Sequence, residues 1–243
     1  MGSQLPASTP VGDKSPANKG MQQSAQKTHR GCCPNRWLDG PMVTSRLCDR
    51  ESMNNEGLFL IGDLPGFTPE IARLVSMMNY VRSTTLSAVE GLGAGELDHL
   101  LDPQSNSIGA LLSHIAATEV GYQAATFYAR ELNALEKQQW GAAIDLSDRA
   151  RREIRGHTLE YYTDMLEQVR VTTLAELSRR DDRWLQEQTS LRSGKKVNNY
   201  FKWFHVLGHE LNHRGQIHWL RKRIDGRISA TANPAMEHTN GRA

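Results

Sequence analysis

The chain has 243 residues, of which 38% are hydrophobic and 23% charged, with a formal net charge of +2. This length and composition allow one globular domain of roughly 150 to 200 residues with tails. The small net charge gives no electrostatic reason to expect nucleic acid as a partner, and there is no run of about 18 apolar residues to predict a membrane span. Cys32, Cys33 and Cys48 all lie in the first fifth of the chain, which predicts a cytoplasmic domain without a disulfide framework.

The first 56 residues differ from the rest in composition. Up to Gly31 they are rich in Ser, Pro, Gly, Gln and Lys and show no apolar periodicity, which is typical of a disordered extension. Cys32 and Cys33 are adjacent and do not match the spaced pairs of a structural zinc site, so we interpret the thiols as incidental. Met53 opens the segment that leads into the first helix, which suggests that the native protein begins there. We expect a disordered extension at 1–56, a folded domain at 57–226 and a disordered tail at 227–243.

Four amphipathic helices are predicted inside the domain. Thr68, Pro69 and Glu70 form a helix start, with a capping hydroxyl, a proline at the first position and a carboxylate in the first turn. The segment 105–107 offers several caps for the second helix, and apolar residues at spacings of three and four continue all four helices. The predicted helices span residues 68–91, 105–132, 158–180 and 198–224.

This pattern predicts an all-α fold class. No segment alternates with period two over enough residues to form a sheet, and four long amphipathic helices are typical of a four-helix bundle. The connections after the first and second helices, of about 15 and 25 residues, exceed the roughly two to eight usual between antiparallel neighbours. Long crossover connections are therefore expected.

The fourth helix carries the most informative pattern. At about 100° per residue, one face holds four polar side chains: His205, His209, His213 and Gln216. Apolar residues border this face: Phe201, Val206, Ile217, Trp219, Leu220 and Ile224. Neutral imidazoles in an apolar stripe cannot all satisfy both ring nitrogens of one another, whereas a divalent cation takes one nitrogen from each. The spacing therefore favours a metal site over hydrogen-bonded core histidines.

His114 lies in the second helix. The small residues Ala110, Ala117 and Gly121 surround it at spacings of three or four, so another helix can approach closely there. An unpaired imidazole in that position would be costly. Opposite the histidines of the fourth helix, His114 is the natural third ligand.

The segments IGALLSHIAATE and HVLGHELNHRGQIHWLRKR resemble the DinB/YfiT-like superfamily. The string H-x-x-x-H-R-G-Q is fairly specific, and the resemblance covers about residues 62 to 224. It implies an up-up-down-down four-helix bundle with a three-histidine metal site, and it implies a homodimer. By this pattern the ligands are His114, His209 and His213, whereas His205 would support a ligand or pack beside the site.

Three imidazole ligands predict an ion with an open coordination position, as in catalytic sites. The expected ion is Zn, Ni, Fe or Mn, with Zn or Ni favoured. Superfamily members similar to bacillithiol and mycothiol S-transferases imply transfer of a low-molecular-weight thiol to an electrophile, in detoxification or stress response. A metal-dependent hydrolase and a non-catalytic protein that binds a metal or small ligand are the alternatives.

Other residues of the two histidine helices could assist the metal. Gln216 lies on the ligand face and could orient a histidine or the substrate, or form an interhelical hydrogen bond. Glu119, Tyr122 and Asn212 are candidate acid or base residues that the sequence does not place relative to the metal. Gly215 is expected to permit close approach of another helix.

The fourth helix has a second apolar side, opposite the histidines. It holds Tyr200, Phe204, Leu207 and Leu211, at about 140° to 220° from His209. One bundle interior cannot cover both sides, so either the segment 181–191 or a second copy of the chain is expected there. We therefore predict a homodimer.

Overall fold

The computed structural model describes residues 57–191 and 193–232, with side chains described as far as Asp225. The extension predicted at 1–56, the three cysteines, Met53 and residues 233–243 of the predicted tail lie outside the described residues. The elements in the described part are α1 (Pro69–Val89), α2 (Ala94–Leu97), α3 (Ile108–Phe127), α4 (Ala134–Asp145), α5 (Asp148–Glu153), α6 (Leu159–Leu177), α7 (Asp182–Gln186), β1 (Gln188–Ser190), β2 (Lys196–Asn198) and α8 (Asn199–Ala232).

Four long helices, α1, α3, α6 and α8, form the all-α bundle, and three of their predicted starts are confirmed. α1 begins at Pro69, as the sequence predicts. The Ser107 hydroxyl caps α3 by accepting a hydrogen bond from the backbone N–H of Ala110 at 3.1 Å. The Thr158 hydroxyl caps α6 in the same way, from the N–H of Tyr161 at 3.4 Å.

The cap of α1 differs from the prediction. The Thr68 hydroxyl accepts no hydrogen bond from the first turn. Instead, Asp182 of α7 accepts hydrogen bonds from the N–H groups of Glu70 and Ile71, at 3.0 and 3.3 Å, and from the Thr68 hydroxyl. A carboxylate is favourable at this positive end of a helix. The predicted role of Thr68 was wrong because the cap comes from a residue that is distant in the chain.

Hydrogen bonds to α1 show the directions of two of its neighbours. Arg82 donates to the carbonyl of Leu166 at 2.7 Å, and Arg170 donates to the carbonyl of Met78 at 3.1 Å, so α1 and α6 are antiparallel. Arg214 donates to the hydroxyl of Thr84, and seven residues later Arg221 donates to the carbonyl of Ala88. α8 therefore runs parallel to α1.

Contacts of α3 complete the topology. The Trp203 indole donates to the hydroxyl of Thr126 at 3.2 Å, and further along α8 the ring of His209 meets that of His114, so α3 and α8 are antiparallel. The helices run up-down-down-up, and the predicted up-up-down-down order was wrong. Loop length alone does not show which helices become neighbours. The predicted long crossover exists between the parallel helices α3 and α6, where it carries α4 and α5.

Some predicted boundaries also need correction. α3 ends at Phe127, before the predicted end at Leu132, and α8 continues to Ala232 beyond Ile224. A two-stranded antiparallel hairpin, with Thr189 opposite Val197, precedes α8 although no sheet was predicted. Its three-residue strands are too short to show periodicity in the sequence.

The close helix approach occurs at a different glycine from the predicted one. A Cβ atom on Gly215 would meet nothing within 4 Å, so the expectation for this residue was wrong. A Cβ atom on Gly109 would lie 2.5 Å from the hydroxyl oxygen of Tyr162, where α3 crosses α6. Gly109 therefore has a steric requirement that Gly215 lacks.

The bundle interior contains two apolar clusters. The first includes Leu112, Leu166 and Ile217, and the second includes Leu74, Leu177 and Trp203. Each long helix contributes apolar residues to the interior, and this accounts for the amphipathic pattern of the four helices. Across 57–191 and 193–232, no helix combines the length and the apolar character that a membrane crossing needs.

Four charged side chains, one from each long helix, lie between these clusters: Arg82, Glu119, Arg170 and Glu210. We call them the charged layer. None of the four residues is more than 8% exposed. The Nε of Arg82 donates to Glu210 at 2.7 Å, and the Nε of Arg170 donates to Glu119 at 2.8 Å. The second guanidinium nitrogens cross over, from Arg82 to Glu119 and from Arg170 to Glu210, each at 3.1 Å. The layer ties all four helices together beside the histidines.

Candidate metal centre

His114 is oriented by the end of α4. That helix ends because Leu146 adopts a left-handed conformation, with φ 46°, and the N–H of Leu146 bonds to the carbonyl of Ala142. The next carbonyl, of Ala143, belongs to the last turn, whose carbonyls lack the usual intrahelical partners. It accepts a hydrogen bond from Nδ1 of His114 at 2.7 Å. Since a carbonyl can only accept, Nδ1 carries the proton and Nε2 is left free to bind.

His209 and His213 lie one turn apart on α8 and face His114. The Nε2 atom of His209 is 3.0 Å from Nε2 of His114 and 3.1 Å from Nε2 of His213. The Nδ1 atom of His213 donates to Oε1 of Gln216 at 3.0 Å, so its Nε2 also points toward the other two rings. The structure thus brings the three predicted histidines together, with their ligand nitrogens within 4.8 Å of one another.

The three rings cannot satisfy one another. With Nδ1 protonated, His114 and His213 each present an Nε2 lone pair to His209, and a single Nε2–H of His209 can serve only one of them. Burial lowers the pKa of all three rings, so they are neutral near pH 7. For His209, burial and the neighbouring histidines lower the pKa to about 3. The cluster therefore lacks a positive charge of its own and contains at least one unsatisfied acceptor.

This spacing suits a divalent cation. With metal–nitrogen distances of about 2.0–2.1 Å, two ligand nitrogens lie about 3.0 Å apart at a right angle and about 3.4 Å apart at a tetrahedral angle. The two distances to His209 Nε2, 3.0 and 3.1 Å, fall in this range. The three histidines are therefore positioned to bind a metal ion. In the described part of the chain, no other cluster of His, Cys, Asp or Glu has this arrangement.

His205 and Gln216, the two residues predicted to assist the ligands, lie at the solvent side of the cluster. Both are exposed. Gln216 is hydrogen-bonded to His213, as described, which is one of the two arrangements considered from the sequence. The ring centroid of His205 lies 6.0 Å from that of His209 and 5.6 Å from that of Tyr122. His205 thus stands beside the three histidines without joining their nitrogen cluster.

The histidine cluster lies within a segment that matches a known family. The family model of mycothiol-S-transferase matches residues 73–226, which include all three histidines. The chain belongs to the mycothiol-S-transferase family. This membership confirms the resemblance to the DinB-like superfamily that the two histidine segments indicate.

A comparison with solved structures found a DinB-like protein from Bacillus cereus ATCC 10987. It is 15% identical in sequence, the match covers 63% of this chain and 91% of that chain, and the TM-score is 0.48. A comparison with curated proteins found no match.

Two other candidates from the sequence, Glu119 and Asn212, form no hydrogen bond with the three histidines in the described part of the chain. Glu119, considered as an acid or base, belongs to the charged layer, where its carboxylate is fully engaged by Arg82, Arg170 and Thr173. Asn212 is exposed on α8. The candidate site is therefore built mainly from imidazoles and their hydrogen-bond partners.

Two features near the site were not predicted. The sequence holds no signal for the Ala143 carbonyl, because it depends on where α4 ends. The charged layer, in contrast, could have been predicted from the sequence. Arg82, Arg170 and Glu210 each follow a buried apolar residue by four positions, so helical spacing alone places them on the core face.

Proposed function

We propose that this member of the family is a divalent-metal-dependent thiol S-transferase that joins a low-molecular-weight thiol to an electrophile. In this proposal His114, His209 and His213 hold the ion. The clustering of the three ligand nitrogens within 4.8 Å, with Nε2 of His209 at 3.0 and 3.1 Å from the other two, is the observation that carries the proposal. The family match supports the thiol as the substrate class.

The protein residues prepare the site before any substrate arrives. The Ala143 carbonyl and the Gln216 side chain each hold an Nδ1–H, so that the Nε2 lone pairs of His114 and His213 are directed inward. Three neutral ligands leave the full charge of a divalent ion available. Such an ion, when bound, supplies an open coordination position that favours the thiolate form of a substrate thiol at neutral pH. Zn or Ni suits a set of imidazole nitrogens.

A direct test is turnover with defined thiols. Metal-loaded protein should accelerate the reaction of mycothiol, bacillithiol or glutathione with an aromatic or alkyl electrophile, and His209→Ala should remove the acceleration. His218→Ala is the control, because His218 is exposed on the far side of α8. If no thiol reacts, while an ester or amide is hydrolysed in a metal-dependent way, the alternative hydrolase function replaces this proposal. A protein that binds the metal and does neither is a binding protein.

We also propose that the protein is a homodimer through α8. Phe204 and Leu211 are 57% and 40% exposed, which is unusual for large apolar side chains on one helix face. Tyr200 and Leu207, on the same predicted side, are half-buried against the second apolar cluster. Phe201 and Trp219 were expected to border the histidines inside the bundle, but they are 44% and 50% exposed and add to the apolar surface of this helix.

A further inference from the structure

The charged layer contains four atoms that link the two helices of the histidine cluster. They are the Nη2 atoms of Arg82 and Arg170 and the Oε2 atoms of Glu119 and Glu210, and we call them the charge bridge. Each Nη2 atom donates to both Oε2 atoms, at 3.1 or 3.2 Å. Since Glu119 belongs to α3 and Glu210 to α8, the charge bridge connects α3 to α8.

The two glutamates of the charge bridge are close in the chain to the metal ligands. Glu210 directly follows His209 in α8. Glu119 follows His114 in α3, and the helix rises about 7.5 Å between them. A movement of α3 along α8 would therefore displace His114 from His209 and, by the same amount, Glu119 from Glu210. The bonds that hold the glutamates together also fix the relative position of the histidines.

Few other polar contacts fix the position of α3 along α8. In the described part of the chain, the direct side-chain hydrogen bonds between these helices are the one from Trp203 to Thr126 and the contact of His209 with His114. Apolar packing is non-directional, so it specifies the register of two helices less strictly than hydrogen bonds do. The charge bridge adds directional bonds at the point where α3 and α8 carry the ligands.

Stability alone is a weak reason to bury four charges. Replacement of a buried charge network by apolar residues of similar volume is often neutral or stabilising, whereas selection of one register is the best-attested role of such networks. The two guanidinium groups are also anchored to the backbone, because Arg82 of α1 donates to the carbonyl of Leu166 and Arg170 of α6 donates to the carbonyl of Met78. The charge bridge is thus attached to all four long helices.

We propose that the charge bridge sets the register of α3 against α8, and thereby holds His114 at the distance from His209 and His213 that a divalent ion requires. Arg82 and Arg170 are then positioning residues of the metal centre. The proposal rests on the proposed function in one respect, that the three histidines bind an ion. A planar guanidinium makes its Nε and Nη2 bonds at the same time, whereas a lysine ammonium is a point charge. The charged layer should therefore require arginine and not only a positive charge.

The first test keeps the charge and removes the planar group. Arg170→Lys should weaken cobalt binding about tenfold or more, and at saturating cobalt it should change the d–d absorption bands, because the ligand nitrogens surround the ion differently. Leu185→Ala is the matched control. Leu185 is fully buried in the second apolar cluster, so its truncation lowers stability without altering the charge bridge. A folded Arg170→Lys variant with wild-type cobalt affinity and spectrum would overturn the proposal, as would the same spectral change in Leu185→Ala.

A milder variant tests the same claim if Arg170→Lys does not fold. The Thr173 hydroxyl donates to Oε1 of Glu119 at 2.6 Å. Thr173→Val removes this bond and keeps every charge of the layer, so it should change the cobalt bands in the same direction as Arg170→Lys and by a smaller amount. A folded Thr173→Val variant with the cobalt spectrum of the wild type would count against the proposal.

The second test uses metal-free protein. The ring centroids of His114 and His209 lie 4.7 Å apart. Nuclear Overhauser effects between the protons of these two rings should be observed in the wild type and in Leu185→Ala, and they should be weaker in Arg170→Lys. A variant that is only less stable keeps this contact in its folded form. Equal effects in the wild type and Arg170→Lys would contradict a positioning role.

These measurements separate the charge bridge from the proposed function. If Arg170→Lys weakens the contact between the two imidazole rings and the wild type binds no cobalt, the positioning role stands and the metal-dependent function fails. If the metal-loaded wild type transfers thiols, and Arg170→Lys leaves both the ring contact and the cobalt spectrum unchanged, the function stands and the positioning role fails.

Discussion

The bundle contains two groups of polar side chains, the histidine cluster and the charged layer, that occupy neighbouring positions on the same helices. His209 and Glu210 are consecutive in α8, yet they belong to different groups. In the charged layer every carboxylate meets two guanidinium groups, and the charges of two arginines and two glutamates cancel. In the histidine cluster three neutral rings present nitrogens that the protein leaves unsatisfied. The charged layer is satisfied within the protein, whereas the histidine cluster is positioned to bind a cation.

The pKa values express the same difference. Burial alone would raise the pKa of Glu119, but Arg170 and Arg82 outweigh it and lower the pKa to about 2, so the carboxylate stays charged. Burial first, and then the adjacent histidines, lower the pKa of His209 to about 3, so the ring stays neutral. The charged layer holds its charges by pairing them, and burial keeps the rings of the histidine cluster neutral.

The largest effect on the free energy of unfolding is expected from removing one arginine of the charged layer. Arg170→Met should lower the free energy of unfolding by about 3–5 kcal/mol, since it leaves Glu119 and Glu210 buried with Arg82 alone. Chemical denaturation measures the change. Arg179→Met is the control, because Arg179 is exposed and its ion pair with Glu176 should contribute less than about 1 kcal/mol. Similar losses in both variants would show that the layer is not a stabilising network.

A change next to the open cluster should act on metal affinity and not on folding. Gln216→Leu removes the acceptor that orients His213, and we expect metal affinity to fall about 10–100-fold. The stability of the metal-free protein should change little, because Gln216 is exposed. Competition with a chelator measures the affinity, and Asn212→Leu, also exposed on α8, is the control. An unchanged affinity would mean that Gln216 has no orienting role.

A substitution on the exposed apolar face of α8 should change the oligomeric state without affecting the histidine cluster or the charged layer. Phe204→Glu places a charge on an exposed apolar position and should convert the proposed dimer to a monomer, as measured by light scattering. Metal content and the stability contributed by the charged layer should stay the same. A wild-type protein that is monomeric at micromolar concentration would exclude the dimer.

The smallest expected effect is a difference in pH dependence between the stability contributed by the histidine cluster and that contributed by the charged layer. The folded pKa of His209 is below the unfolded value near 6.5, so its contribution to stability is present above pH 6.5 and is lost as pH falls toward 3. The contribution of Glu119 is present above about pH 4.5 and is lost as pH falls toward 2. In urea denaturation of the metal-free protein, His209→Gln should therefore reduce the loss of stability between pH 7 and 5. His218→Gln should not, and an identical pH dependence in both variants would contradict the assignment.

The sequence predicts those parts of the molecule that depend on local spacing. Helical periodicity gave the four long helices, and the spacing of His209 and His213 with the small residues around His114 gave the histidine cluster. Features that depend on distant parts of the chain were missed or wrong. The Asp182 cap of α1, the parallel pairing of α1 with α8 and the carbonyl of Ala143 all result from tertiary packing, which periodicity does not encode.

The exposed aromatic residues illustrate the same limit. Phe201 and Trp219 have the spacing of core residues, but α8 presents them to solvent because α3 and α1 cover only part of its surface. A helical pattern shows which residues share a face, and only the packing shows whether a neighbour covers that face.

The proposed function requires the histidine cluster to hold an ion that receives a thiol, and the cobalt absorption spectrum reports on both binding events. Protein prepared without a histidine tag is titrated with cobalt and then with mycothiol, bacillithiol or glutathione. The wild type, His205→Ala, His157→Ala and His218→Ala should take up a single equivalent and gain an intense thiolate-to-metal band with at least one thiol. Replacing His114, His209 or His213 by Ala should abolish both signals. A wild type whose cobalt spectrum no thiol changes, or a His209→Ala variant that binds cobalt and thiol normally, would contradict the proposed function.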